Sequence, residues 1–434
     1  MESGDREFGV VVWGATGFTG KLTAEYVLGR YGVSGEFTWA IAGRNREKLE
    51  GVRADIGRTT GVATDSLPIL VGDGEDEGFL ADLVRRTKVV CTTVGPYALY
   101  GSKLVAACAA AGTDYCDLTG EVQWMARMIA AHHDAARESG ARIVFTCGFD
   151  CIPADIGAFF LNEEMKRRHG VPCGHVKYRV QGFSGGASGG TIASMIQMME
   201  EASTDRSVIE VMRAPYSLNP AGQQQGPDGP EAVSPSWDED FGQWIAPFVM
   251  GAVDTKVVRR SNALLGHAYG RDFRYDEGVL CGTGPGGFAK AAGSAFGAPL
   301  AMGAMSIGPV RRFAARRLPQ PGDGPSREKR EAGYFDVRLL GIHPSDASKN
   351  LRAHIHGDRD PGYGSTSKML GESAVCLALD DRTSGGGCLT PASAMGAALL
   401  ARLPRNAGVT FELDDASAAA GASRSAHAGA AEAS

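Results

Sequence analysis

An apolar run, Phe8 to Trp13, leads straight into Gly14-Ala15-Thr16-Gly17-Phe18-Thr19-Gly20, and a helical pattern follows from Lys21 to Arg30. A buried strand, a tight glycine turn and a helix start, in that order, admit few folds. Such a turn leaves the first-turn amides of the helix facing outward, which suits the pyrophosphate of a dinucleotide. In this G-x-x-G-x-x-G spacing Gly14 is expected to allow the sharp turn, Gly17 the approach of phosphates, and Gly20 close packing of helix on strand. Thr16, Phe18 and Thr19 are expected to line the same cofactor site. In a chain with 60 glycines the spacing alone says little, and its strand–turn–helix setting carries the inference.

The next strand-like run, Phe37 to Ala42, ends in Gly43-Arg44-Asn45-Arg46. A site for NAD usually places Asp or Glu there, on the ribose 2′-hydroxyl, whereas Arg suits a 2′-phosphate. Arg44 stands 24 residues after Gly20, so NADP(H) is expected over NAD(H), with Arg44 as main contact and Arg46 as helper.

Strand and helix patterns alternate through the first third. Leu67 to Val71 ends at Gly72-Asp73, Val89 to Val94 ends at Gly95-Pro96-Tyr97, a helix spans Ser102 to Ala111, and Arg142 to Thr146 ends at Gly148. This alternation predicts an α/β fold with a Rossmann-type doubly wound parallel sheet over residues 1–150. Its strand ends would bring Gly14–Gly20, Arg44, Asp73, Gly95, Pro96, Tyr97 and Gly148 around one cofactor. After Asp150 the rhythm changes. Val176 to Phe183 and Phe335 to Gly341 read as strands of another sheet, so 151–345 is expected to form a second domain of mixed type. A Pro/Gly/Gln-rich stretch, Pro215 to Pro235, reads as a mobile loop, and Ser367 to Leu379 and Pro391 to Leu403 read as helices. The Ala/Ser/Gly-rich end, 414–434, is expected to be a disordered tail.

A net charge of −6 gives no reason to expect a nucleic-acid partner. Residues Met1 to Glu7 are polar, not a secretory signal. Nine scattered cysteines, without zinc-type spacing, read as reduced thiols in an intracellular, cytoplasmic protein without a metal. One segment stands apart. Residues 291–310 carry no charge and precede Arg311-Arg312-Phe313-Ala314-Ala315-Arg316-Arg317. Its glycines and prolines make it a poor membrane span. Two readings stay open: an apolar flap on a membrane surface, its arginines on anionic head groups, or a buried Gly/Ala-rich core segment.

A dinucleotide site makes redox chemistry the default. No tyrosine is followed four places later by lysine, which argues against a short-chain dehydrogenase, and neither zinc ligands nor a nucleophile elbow are grouped. The run Gly112-Thr113-Asp114-Tyr115-Cys116-Asp117-Leu118-Thr119-Gly120-Glu121 is dense in polar side chains, and on a strand Tyr115 and Asp117 share a face. Tyr97, Tyr115 and Asp117 are therefore the candidate catalytic residues, as donors to a substrate oxygen or, with Thr119, their orienters. The competing reading makes the tyrosines packing residues and Asp117 a cap.

These motifs, with Ala42-Gly43-Arg44, Val94-Gly95-Pro96-Tyr97, Gly148-Phe149-Asp150-Cys151-Ile152-Pro153-Ala154-Asp155 and the Gly362-Tyr363 and Gly386-Gly387 regions, resemble the saccharopine dehydrogenase-like oxidoreductases, within them the trans-acting enoyl reductase branch. The resemblance runs from about 8 to 413. It implies a dinucleotide domain, an inserted α+β domain, and a return to the first domain over 346–413. It also implies NADP(H)-dependent reduction of a carbon–carbon double bond in a lipid or polyketide intermediate. A carrier protein and a membrane or lipid-droplet surface are its candidate contacts. Two alternatives stand beside it. One is a reductase of an amino-acid-derived imine, for which Arg179, Arg271 and Arg338 are the candidate carboxylate contacts. The other is a non-catalytic, nucleotide-binding, lipid-associated protein.

Overall fold

A computed structural model of the chain describes residues 6–185, 189–305 and 324–414. The strands among them, numbered β1 to β14 along the chain, form two seven-stranded sheets. The first contains β1 (Phe8–Trp13), β2 (Trp39–Gly43), β3 (Ile69–Val71), β4 (Thr87–Thr92), β5 (Asp114–Cys116), β6 (Arg142–Val144) and β13 (Gly387–Leu389). Their spatial order is β13-β6-β5-β4-β1-β2-β3, and every pairing is parallel. The order reverses between β1 and β4, which opens a crevice beyond the carboxyl ends of the strands.

β1 is a continuous apolar run because both faces of this sheet are covered. Val10 and Val12 enter one apolar layer, Val11 and Trp13 the other. Helices Phe18–Tyr31, Arg46–Thr60 and Thr366–Leu379 supply the first layer; Glu77–Arg86, Ser102–Ala111 and Val122–Ser139 supply the second. Each fully buried Val or Leu contributes roughly 1.5–3 kcal/mol.

The second sheet contains β7 (His175–Ser184), β8 (Ser236–Asp238), β9 (Gln243–Ala246), β10 (Arg274–Gly282), β11 (Tyr334–Ile342), β12 (Leu351–Gly357) and β14 (Val409–Leu413). Its order is β14-β12-β11-β7-β10-β9-β8, with β7 and β10 parallel and the other pairs antiparallel. Along β11, Val337 and Leu339 are buried while Asp336 and Arg338 point the other way. The apolar face packs on helix Ile152–His169 through Ile156, Leu161 and Met165.

Several expectations change. Residues 346–413 serve both sheets: β13 joins the first, while β12 and β14 complete the second. The helix expected over Pro391 to Leu403 breaks at Met395–Gly396, where Gly396 takes φ +35°, into Pro391–Ala394 and Gly396–Arg402. The 215–235 stretch is anchored at several of its residues. Arg259 donates to Asp228 at 2.8 Å and to Glu231 at 2.9 Å, and Tyr216 is buried. The apolar segment begins inside a helix, Gly284–Met305, whereas 306–310, the arginines of 311–317 and the tail beyond 414 lie outside the described residues. Among the described residues no helix is long and apolar enough to cross a membrane.

Candidate functional site

The glycine turn packs as its spacing predicts. Gly14 adopts φ +88°, a conformation that favours glycine, and a Cβ there would lie 2.6 Å from Val94 Cγ2. A Cβ on Gly20 would lie 2.2 Å from the Gly14 carbonyl oxygen and 2.7 Å from Thr93 Oγ1. At Gly17 the only atom within 4 Å of such a Cβ is the Gly14 oxygen, at 3.3 Å, so the space above the turn is open. Gly17 is also the cap of helix Phe18–Tyr31 and has no side chain to bond its first-turn amides. Open space above uncapped amides fits a pyrophosphate. Thr16 is exposed and Thr19 half-buried at this rim. The Phe18 ring is used otherwise: it meets the edge of Tyr363 at 5.1 Å and lies under the Arg330 guanidinium.

The other strand ends align with the turn. Trp13 pairs with Ala42 and with Thr92, and Gly43 pairs with Val71. Arg44 follows β2, exposed, with no ion pair or hydrogen bond among the described residues. Arg46 faces Glu50 at 3.8 Å. Asp73 stands at the same edge after β3, where its carboxylate accepts from the Glu75 amide at 3.1 Å. Gly95 and Pro96 follow β4, and Ser194 Oγ lies 3.7 Å from where a Gly95 Cβ would be.

Tyr97, Tyr115 and Asp117 do come together, as an enclosed cluster. All three are at most 3% exposed. Tyr97 donates to the Thr92 carbonyl at 3.3 Å and accepts from the Leu118 amide at 3.4 Å. Tyr115 donates to Asp117 Oδ2 at 2.7 Å, and Asp117 Oδ1 accepts the amides of Thr119 and Thr146. None of the three presents a free hydrogen-bonding group to a ligand in this arrangement. Glu121, which closes the same polar run and carries no role among the expectations, anchors the cluster to the rim. Its carboxylate accepts the Tyr97 and Ala98 amides at 2.8 Å each and the Ser194 hydroxyl at 2.9 Å.

Burial pushes Asp117 up to about 7, against the lowering effect of its three donors. The unfolded value is about 3.9. Between these values the native state holds a proton that the unfolded chain has released, so this group's contribution to stability falls as pH rises from about 4 to about 7. Asp117→Asn is expected to flatten that part of the stability profile, read as denaturation midpoints across pH.

A second polar group lies where the loop after β6 meets the second sheet, and Phe149 of that loop packs on Phe335 of β11 at 4.9 Å. Asp150 is only partly exposed and has no hydrogen bond or ion pair among the described residues; burial raises it to about 6. Its Oδ2 lies 3.7 Å from where a Gly120 Cβ would be, beside the loop after β5. The next residue, Cys151, donates its thiol to Asp254 Oδ1 at 3.1 Å. Glu277 of β10 stands directly across from Tyr178 of β7 and accepts the Tyr275 hydroxyl at 2.7 Å. Burial, then the charges of Glu277 and Asp150, hold Asp254 far above the ordinary carboxylate range, and Glu277 rises to about 8 for the same first reason. The Tyr178 hydroxyl makes no hydrogen bond among the described residues. Sequence reasoning assigns these residues no role. The legible signal is Glu277 itself, an acid at the inward position of a strand flanked in register by Tyr275 and Val279.

The three arginines of the imine reading do not converge on this polar group. Arg179 and Arg338 are register partners on the opposite face of the second sheet from Tyr178. Arg179 is saturated by Asp238 and Asp276, Arg338 donates to Gln181, and Arg271 is exposed.

Residues 10–144 match the family described as the saccharopine dehydrogenase NADP binding domain. The trans-acting enoyl reductase of Mycobacterium tuberculosis (strain H37Rv) is 39% identical over 424 residues, 95% of this chain and 99% of that protein. That of Mycobacterium ulcerans is 38% identical over 420 residues, 93% and 97% of the two chains. Another Mycobacterium tuberculosis protein, provisionally given the same name, is 42% identical over 423 residues, 95% and 99% of the two. Among solved structures, the L-Glu-forming saccharopine dehydrogenase of Saccharomyces cerevisiae aligns with a TM-score of 0.49 and 11% identity, over 93% of this chain and 99% of that one.

Proposed function

The chain belongs to the trans-acting enoyl reductase family of saccharopine dehydrogenase-like oxidoreductases, and from that premise we propose that it reduces the carbon–carbon double bond of a long acyl or polyketide-derived substrate with NADPH. Kinship over nearly the whole length of both chains carries this reading. When bound, the cofactor supplies the hydride. The residues of the chain do the rest. The open turn at Gly17 and the first-turn amides of helix Phe18–Tyr31 hold the pyrophosphate, and Arg44, without an ion pair or hydrogen bond among the described residues, takes the 2′-phosphate, with Asp73 beside it. Gly95 and Pro96 border the nicotinamide. Glu121 and the enclosed Tyr97, Tyr115 and Asp117 act as a frame that fixes the strand ends around the nicotinamide, a positioning role in place of direct donation.

An apolar acyl chain and its carrier are supported by the exposed rings of Phe288 and Phe296 on helix Gly284–Met305, at 48% and 59% exposure. Large exposed rings on one helix mark a contact surface for a lipid, a carrier protein or a membrane face.

Arg44→Ala tests the cofactor assignment. Loss of a charge-assisted contact worth about 1.5–3 kcal/mol is roughly a ten- to hundredfold rise in Kd. The rise is expected for NADPH and not for NADH, measured by fluorescence titration of the purified protein. Equal weakening of both nucleotides would remove Arg44 from the 2′-phosphate site.

A further inference from the structure

The partly exposed flank of helix Phe18–Tyr31 borders a cleft of about 410 Å³ that the cofactor assignment does not use. Its walls come from that helix, the end of helix Arg46–Thr60, the short helix Arg327–Glu331 and the start of helix Thr366–Leu379. Neither Gly17, Arg44 nor Asp73 lines it. Going beyond the reductase reading, we propose that this cleft binds a phosphorylated organic ligand, of the size of a nucleotide or of a phosphorylated thioester handle, at a site separate from that of the cofactor.

Three observations carry this. First, the cleft holds positive charge that the described residues leave uncompensated. Arg30, Arg327, Arg330, Arg359 and Lys368 line it, against Glu25 and Glu331. Arg327 takes both carboxylates, Glu331 at 2.8 Å and Glu25 at 3.5 Å. Asp358 holds Lys368 at 3.0 Å and reaches Arg359 only at 3.9 Å. Asp360 is 1% exposed and turns its carboxylate to the Tyr363 and Gly364 amides. Arg30 and Arg330 have no ion pair among the described residues. Arg30 donates to the Asn406 side chain at 2.7 Å and Arg330 to the Pro325 carbonyl at 2.6 Å, so each keeps guanidinium N–H groups for another acceptor. Second, these charges flank an apolar floor. Leu22, Tyr26 and Gly29 recur at i, i+4 and i+7, share one face of the helix and are not fully buried. Arg330 lies over the Phe18 ring at 5.4 Å towards one end of that face, and Arg30 stands at the other. Twelve residues of helix, about 18 Å of axis, separate Phe18 from Arg30. Third, the volume suits a small organic molecule, for which pockets of roughly 300–1,000 Å³ are usual.

The chemistry is recognition, with no bond made or broken. Phosphate oxygens accept from the guanidinium groups of Arg330 and Arg359, whose planar forks suit them, and Lys368 adds a point charge. The organic body covers Leu22 and Tyr26. The Tyr26 hydroxyl is committed to Glu372 at 2.6 Å, so this residue offers its ring rather than a donor. A ligand without phosphate keeps only the floor, and a bare phosphate keeps only the charges. Phe18 is also the first residue of the helix whose amides face the pyrophosphate, so the cleft and the cofactor turn are neighbours that a test must tell apart.

The test uses the full chain with NADPH held at saturation, so that the dinucleotide site is filled. Calorimetric titrations then follow ATP and coenzyme A, with adenosine and pantetheine as their uncharged counterparts. At least one phosphorylated probe is expected to bind one-to-one, its counterpart roughly tenfold weaker or more, with an affinity that falls as NaCl is raised. Arg330→Gln and Arg359→Gln are each expected to weaken that probe roughly five- to tenfold. Both side chains are partly exposed, so the melting temperature is expected to stay within a few degrees. Arg44→Ala, again saturated with NADPH, is expected to leave the probe unaffected. Coenzyme A bound in preference to ATP assigns the cleft to the phosphorylated handle of a thioester, and the reverse preference assigns it to a free nucleotide; either sustains the site. Failure of both probes to bind the NADPH-filled protein overturns it. Binding that Arg44→Ala removes, while Arg330→Gln and Arg359→Gln spare it, overturns it as well, because the probe then sits at the cofactor turn. The readout is binding alone, so the result stands whether or not an enoyl substrate is reduced.

Discussion

Gly20→Ala is expected to abolish NADPH binding and to destabilise the fold, although it adds a single methyl group. The new Cβ would lie 2.2 Å from the Gly14 carbonyl oxygen, 2.8 Å from the Gly14 carbonyl carbon and 2.7 Å from Thr93 Oγ1. Two of these are backbone atoms of the turn itself, which no rotamer change can move aside. The helix must lift away from β1, and its first-turn amides leave the position that the phosphates need. Overpacking of this kind costs typically 1–3 kcal/mol. The companion change separates packing from ligand contact. At Gly17 a Cβ meets only the Gly14 oxygen, at 3.3 Å, and otherwise projects into open space. Gly17→Ala is therefore expected to keep its melting temperature within a few degrees while NADPH affinity falls tenfold or more, because the methyl occupies the phosphate side. Thermal melts and nucleotide titrations of both variants check this. A Gly20→Ala protein that binds NADPH like wild type would show that the turn does not hold the pyrophosphate.

That contrast also explains why some features are legible in the amino-acid sequence and others are not. The glycine turn is a local device: seven consecutive residues meet the demands of one strand end and one helix start, so spacing alone exposes it. Arg44 and Asp73 are legible for the same reason, since parallel strands of one sheet place their ends on one edge. Tyr97, Tyr115 and Asp117 are legible as a polar group but not as an enclosed one. Their hydroxyls and carboxylate are consumed by Thr92, Leu118 and Thr146, and the Trp124 ring closes over Tyr97 at 5.5 Å. Those partners come from other strand ends and a helix, and no short window contains them. The Asp150, Tyr178, Asp254 and Glu277 cluster is the extreme case. It draws on a loop of the first sheet, two strands of the second and a separate helix, and only the folded chain brings them together. The division of 346–413 between the sheets is hidden likewise, because β13 is only three residues long and β14 pairs with β12 across the intervening helices.

Asp114→Ala is expected to cost about 3–5 kcal/mol, among the largest losses available to a single change in this chain, because it strands a buried guanidinium. Arg142 and Asp114 have side chains only 6% and 10% exposed. Asp114 Oδ1 accepts the Arg142 amide at 2.7 Å and Oδ2 accepts Nε at 2.9 Å, a forked grip that binds β5 to β6. The same guanidinium donates to the Leu377 carbonyl at 2.5 Å, so it also ties the late helix Thr366–Leu379 onto the first sheet. Removing the carboxylate leaves the charge of Arg142 in place with one carbonyl to compensate it, and the penalty is chiefly desolvation rather than lost attraction. It follows that removing both charges costs far less. The Asp114→Leu, Arg142→Met double variant is expected to recover most of the loss, measured as the urea midpoint at constant slope. A single-variant loss below about 1 kcal/mol would mean that Arg142 reaches water once freed, and that the late helix is held by its apolar contacts alone. With the pair intact, β5 and β6 keep their register, and that register sets Asp117 at the end of one strand and the Asp150 loop beyond the other, so the salt bridge governs the spacing between the enclosed frame and that loop without touching either.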